Sequence, residues 1–201
     1  TTPATLSLAN VTKDIPIVMG GITYPVEAGL IKDEKKPGNN ITGVSDRTPI
    51  KQQLEIMKQV VPTLKTVGIL YTSSEDNSVK QAKQAEEDAK ALGLEVKVAT
   101  IASAMATVVK ATDAKKIPVF PSADTMVADG GVLGLGVDQY QIGVETAKMV
   151  VEVLKGAKPA DTPIKLANEG VIYLNEEKAK ELGITIPADI AQKAQKVTAK
   201  K

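Results

Sequence analysis

Residues 66–100 read TVGILYTSSEDNSVKQAKQAEEDAKALGLEVKVAT, and the pattern changes twice along them. Thr66–Tyr71 is a short run rich in Val, Ile and Leu, the composition of a parallel strand buried on both faces. From Ser78, which can cap a helix, Val79, Ala82, Ala85, Ala89 and Leu92 fall towards one side until Gly93 ends it. Glu95–Thr100 alternates polar and apolar residues, which suits a strand at a sheet edge. Strand, helix and strand in succession predict an α/β fold with a mostly parallel sheet.

The alternation continues outward. Further strands are expected at Ile15–Met19, Ile117–Phe120, Val132–Val137 and Val171–Leu174. Thr48-Pro49 opens a helix on which Ile50, Leu54, Met57 and Val61 recur, and Pro62 stops it. Ile142, Met149, Val150, Val153 and Leu154 form another helix face, closed by Gly156. Asn175 caps a short helix with Glu176 and Glu177 in its first turn, where the dipole favours acids. A weaker helix is expected at Ala102–Ala111. Lys35–Asn40 and Lys155–Pro163 read as loops or crossovers, and the Lys-rich tail from Gln192 as a fraying end.

The composition excludes several chemistries. Among 201 residues there is no His, Cys or Trp. That removes disulfides, thiolate nucleophiles, Ser-His-Asp triads and the usual zinc sites. With 25 Lys+Arg against 24 Asp+Glu and 2% aromatics, the chain lacks the basic excess and stacking platforms of a nucleic-acid binder. No run reaches the roughly 18 apolar residues of a membrane span. The start at Thr1, without Met or signal peptide, reads as a processed or trimmed product. The glycines of Gly130–Gly136 match neither GxGxxG nor a P-loop; they read as a strand that lets another backbone approach closely.

In open α/β sheets ligands sit beyond the carboxyl ends of strands. Four such loops carry polar residues: 20–24 with Thr23 and Tyr24, 72–78 with Ser73, Ser74, Glu75, Asn77 and Ser78, 121–124 with Asp124, and 138–140. Hydroxyls and helix-terminal amides suit a carboxylate, and an Asp suits an ammonium, so the set fits a zwitterion. Each residue taken singly also fits a cap or turn role. Arg47, the only Arg, fits either a surface role or a grip on a ligand carboxylate. Asp46 and Asp124 could in principle act as acid and base, but no nucleophile or metal cluster accompanies them, so no enzyme and no cofactor is expected.

Several ordered segments resemble a known family. They are Asp14–Val18, Pro37–Asp46 (PGNNITGVSD), Val67–Tyr71 with Ser74–Ser78, Lys116–Phe120, Gly136–Gly143, Leu154–Pro163 (LKGAKPADTP) and Asn175–Pro187. Together they resemble the substrate-binding proteins of ABC importers with the type I periplasmic-binding fold, in the branch associated with aromatic amino acids such as tryptophan. The resemblance implies two α/β lobes with Rossmann-like parallel sheets, the first incomplete. Residues 1–42 and 139–162 would form the first lobe, 43–138 and 163–191 the second, and 192–201 a tail. Thr2, Pro3, Ala4, Thr23, Tyr24, Ser45, Asp46, Ser73–Ser78 and Asp124 match segments that face the interlobe cleft in that family. The implied partners are a small, aromatic amino acid and an ABC permease, with no nucleic acid and no metal. The implied location is extracytoplasmic, in the periplasm or lipid-anchored at the cell surface.

The chain departs from the family pattern by lacking a run before Thr2, and a helix, strand and loop between Thr100 and Ile101. Tyr24 stands where the family usually has Asp. The rival expectation is therefore a truncated or engineered flavodoxin-like remnant that binds no ligand and has sheet edges free to pair or swap. An effector-sensing domain of a regulator or receptor, or a racemase-like enzyme, would share the fold.

Overall fold

A computed structural model describes residues 2–101, 105–167 and 170–198. The chain divides into two compact units, residues 1–48 with 137–169 and residues 49–136 with 170–201.

The first unit is built on a parallel strand pair. β1 (Ile17–Gly20) pairs with β2 (Ile41–Ser45), and β2 pairs in parallel with the short β6 (Lys165–Leu166). Helix α1 (Thr2–Val11) lies against β1, and α6 (Gln139–Leu154) packs on β1 and β2. Met19, Ile22, Leu30, Ile31, Ile41 and Ile164 make the core. All five β2 residues are buried. The first strand begins two residues later than the pattern suggests and ends at Gly20. Residues 21–40, between β1 and β2, contain no helix. They are tied down instead by the buried Leu30 and Ile31 and by two amide side chains. Asn39 Nδ2 donates to Leu30 O (2.7 Å) and Asn40 Nδ2 to Ile15 O (2.7 Å).

The pairing of β2 through Ser45 places residues 43–48 in the first unit, not in the second as the sequence reading has it. Likewise the return to the second unit falls after residue 169 rather than after 162, because β6 pairs with β2. Asp138 caps α6 as an Asp should, its Oδ1 accepting from Gln141 N–H (3.0 Å). Of the expected α6 face, Ile142 and Met149 are buried, whereas Val150 and Leu154 are exposed.

The second unit holds two separate sheets. β3 (Thr66–Tyr71) and β4 (Glu95–Thr100) form a parallel pair, with α3 (Asp76–Ala91) packed on them and on α2 (Ile50–Val60). Leu54, Val67, Ala89 and Leu94 form that core. In the other sheet β5 (Leu133–Gly136) runs antiparallel to β7 (Val171–Leu174), and β8 (Gln195–Lys196) adds in parallel to β7. Its core joins Ile56 and Val60 of α2 to Val132, Leu133, Leu135 and Leu174. Four short helices complete the unit: α4 (Met105–Asp113), α5 (Asp124–Ala128), α7 (Glu176–Glu181) and α8 (Ala188–Lys193).

Three expectations are corrected here. Ile117–Phe120 is not a ladder strand: Pro118 has no N–H to give, and the segment is held by isolated bonds, from Val132 N–H to Val119 O (2.9 Å), from Ile117 N–H to Thr112 O (3.0 Å) and from Gln53 Nε2 to Phe120 O (2.8 Å). The tail from Gln192 is not free throughout, since Gln195–Lys196 pairs with β7. β3 is not buried on both faces, and Leu70 is 50% exposed. Of the expected helix at residues 102–111, residues 102–104 lie outside the described residues.

Asn175 caps α7 as expected, Oδ1 accepting from Lys178 N–H (3.0 Å). Lys178 itself is buried and bonds Asp113 (2.5 Å) and Glu181 (3.1 Å). Burial pulls its pKa down, but the bonds to the two carboxylates outweigh that and raise it. The lysine thereby pins α4 to α7 while charged.

The glycines of β5 do what their spacing suggests. A Cβ on Gly134 would lie 2.4 Å from Pro121 O, and one on Gly136 would lie 2.6 Å from Ser122 O. The 121–122 backbone thus lies directly on the strand. Gly143, within α6, faces open space. Gly134→Ala is expected to cost about 1–3 kcal/mol by overpacking, whereas Gly143→Ala should stabilise by roughly 1 kcal/mol through helix propensity. Urea unfolding of the two variants beside the parent chain checks the opposite signs.

Candidate functional site

In the first unit, the carboxyl ends of β1 and β2 bring four of the expected residues together. Gly21 follows β1 with φ of 71°, and its N–H donates to Val44 O (3.0 Å). This left-handed turn suits glycine, and a Cβ there would sit 3.3 Å from Asp46 Oδ2. The chain then buries Ile22 and Thr23. Ser45, fully buried at the end of β2, donates through Oγ to Thr23 O (3.2 Å) and accepts from Arg47 N–H (3.3 Å). Arg47 Nε donates to the same Thr23 oxygen (3.3 Å), and Nη2 pairs with Glu34 Oε1. The guanidinium lies over the Tyr24 ring, 5.1 Å from its centroid, within cation–π range.

Asp46 sits amid these contacts. Its Oδ1 is buried and has no hydrogen-bond partner. A buried carboxylate oxygen without a donor is costly and rare, so the position fits a donor supplied by a ligand.

Thr2 is buried at the start of α1, but Pro3 and Ala4 are exposed. Ser7 Oγ donates to Pro3 O within the helix (3.1 Å), and neither Pro3 nor Ala4 has a polar side chain to offer a ligand.

In the second unit, the loop after β3 leads into α3. Ser73, Ser74 and Glu75 are exposed, while Asn77 and Ser78 are half-buried. Ser78 is not the cap: α3 starts at Asp76, Glu75 holds the cap position, and no side chain bonds the first turn there. Ser78 Oγ instead accepts from Thr72 N–H (3.0 Å) and folds the loop back. Asp124 is exposed at the start of α5, where its Oδ1 accepts from Thr125 N–H (2.7 Å).

A groove of about 500 Å³ also lies in this unit, lined by Gln59, Val60, Pro62, Thr63, Ile184 and Thr185, and none of the expected ligand residues borders it. Among the described residues no cluster of three or more His, Cys, Asp and Glu side chains could hold a metal. No helix among them is long and apolar enough to cross a membrane.

Glu34 was absent from the sequence reading, and the partners of Arg47 were not foreseen. The uniqueness of Arg47 was the one available signal.

The family model for ABC transporter substrate binding proteins matches residues 1–101 and 96–198. The chain belongs to that family. A tyrosine-binding protein of Clostridioides difficile (strain R20291) is 33% identical over 209 aligned residues, covering 90% of this chain and 61% of the relative. The chain thus spans about three fifths of that relative's length. Among solved structures, the ABC domain from Streptococcus pneumoniae in complex with L-Trp is 42% identical, with a TM-score of 0.89 over 98% of this chain and 76% of that one. A conserved domain protein from Vibrio cholerae is 31% identical, with a TM-score of 0.88 and the same coverage. The fold is therefore that of the α/β periplasmic-binding proteins.

The two family matches overlap at residues 96–101, most of β4 and the residue after it. The 209 aligned positions exceed the 201 residues of the chain, so the Clostridioides difficile relative carries residues with no counterpart here.

In this chain, Arg47 ties Thr23, Tyr24 and Glu34 to the end of β2. Arg47→Lys keeps the charge but loses the planar fork and the stack on Tyr24. It is expected to destabilise the chain by about 1–2 kcal/mol, read as a lowered urea midpoint with an unchanged slope.

Proposed function

We propose that this chain is the solute-binding component of an ABC importer, and that its ligand is a small amino acid with an aromatic side chain. The observation that carries this reading is Asp46 Oδ1, a buried carboxylate oxygen with no donor, at the carboxyl end of a parallel strand. An ammonium group donates strongly to such an oxygen and neutralises its charge. The tyrosine-binding relative and the L-Trp-bound neighbour support the choice of an aromatic amino acid.

Within the first unit, Asp46 takes the ammonium, and Ser45 and Thr23 hold its backbone in place. Tyr24 offers a ring for an aromatic side chain, with Arg47 fixed on it. In the second unit, Ser73, Ser74, Asn77 and Ser78 with the first amides of α3 suit a carboxylate, and Asp124 is a further acid for the ammonium. Glu75 and Asp76 partly offset that helix end with negative charge. Tyr71 is a further ring in that unit. Thr2, Pro3 and Ala4 contribute through backbone and packing. The chain's role is capture and release rather than turnover. Its partner is an ABC permease, and its place is extracytoplasmic.

Isothermal titration with each of the twenty amino acids tests the reading. Binding of an aromatic amino acid is expected, and Asp46→Asn should weaken it roughly 10- to 100-fold, the worth of a hydrogen bond to a charged group. A folded chain that binds none of the twenty overturns the proposal.

A further inference from the structure

Among the described residues, one edge of β3 has no neighbouring strand. Glu95 N–H donates to Lys65 O (2.8 Å) and Ile101 N–H to Tyr71 O (2.9 Å). With the register Val67↔Val96 and Ile69↔Val98, the odd-numbered residues of β3 spend their main-chain groups on β4. Thr66, Gly68 and Leu70 turn theirs to the opposite edge. Among the described residues β4 is the sole neighbour of β3.

The two edges of this small sheet differ in chemistry. β4 carries Glu95 and Lys97, charges of the sort that blunt an exposed edge. β3 is TVGILY, with no charge and no Pro. It has the sequence of an interior strand and the surroundings of an edge strand. Leu70 is half-exposed beside it, and a Cβ on Gly68 would meet nothing within 4 Å. The two family matches overlap within this sheet, at residues 96–101 of β4 and just after it.

We propose that this edge joins two copies of the chain, β3 of one pairing antiparallel with β3 of the other across a two-fold axis at Gly68. The register is self-complementary. Gly68 faces Gly68, and Thr66 faces Leu70 of the second copy. Each of these pairs exchanges both N–H···O bonds, so every main-chain group on the open edge of both copies is used. Lys65 falls opposite Tyr71 of the second copy, and no like charges meet. An isologous contact of this kind closes at a dimer. The edge of β4 offers no equivalent, because its charges would lie against the incoming strand. This inference does not rest on the ligand reading.

Sedimentation velocity from roughly 5 to roughly 500 µM, a range suited to a contact smaller than a standard interface, tests the proposal. Expected is a dimer whose fraction rises with concentration. It should be lost in Leu70→Lys, which places a charge on the edge, and in Thr66→Pro, which removes an edge N–H and no main-chain bond to β4, only the exposed bond from Thr66 Oγ1 to Glu95 Oε2 (3.1 Å). It should persist in Val98→Lys, on the far strand. Hydrogen exchange of the parent chain gives a readout that needs no variant: the Thr66, Gly68 and Leu70 amides should gain protection as concentration rises. A monomer throughout overturns the proposal. So does a dimer lost in Val98→Lys but kept in the two β3 variants, or an assembly that grows beyond two.

Discussion

A carboxylate oxygen withdrawn from water must find a donor, and Asp46 Oδ1 has none among the described residues. The surrounding first unit explains how that oxygen is held there. The β1–β2 ladder fixes the ends of both strands. The glycine turn at 21 lets one backbone pass close to the Asp46 side chain. Ser45 and Arg47 both donate to Thr23 O, so the residues on either side of Asp46 are bonded to the neighbouring loop. One oxygen of the carboxylate, Oδ1, is thus left unsatisfied between satisfied groups. Such an arrangement costs stability in the free protein, and under the proposed function an ammonium group offsets that cost.

The second unit expresses a different constraint, that any strand has main-chain groups on both edges. β5 pairs with β7 on one edge, and just before it Val132 N–H donates to Val119 O on the other side (2.9 Å). β3 is paired on one edge only. A sheet of two parallel strands is small by any standard for independent stability, and here α2 and α3 supply the apolar cover that keeps the pair together.

Much of the fold was legible because local pattern and tertiary role coincide. Thr66–Tyr71, Glu95–Thr100 and Val171–Leu174 are strands with the expected bounds, and Asn175 caps the helix it precedes. β2 escaped because Gly43 interrupts its apolar run and PGNN before it looks like a turn; its burial comes entirely from long-range partners. Ile117–Phe120 has the composition of a strand, but strand pairing is decided by neighbours and not by composition. At the site, residue types pointed to Thr23, Ser45 and Asp46. The missing donor at Asp46, and the use of Arg47 to tie Glu34, Tyr24 and Thr23, depend on contacts across an irregular loop that no spacing rule describes.

The account turns on whether Asp46 meets an ammonium. Calorimetry can compare the aromatic amino acid that binds best with its analogue lacking the amino group, on the parent chain and on Asp46→Asn. The account predicts that losing the amino group weakens binding to the parent chain roughly 10- to 100-fold, and much less to Asp46→Asn, because the two changes remove the same interaction. Equal losses on both proteins would contradict it.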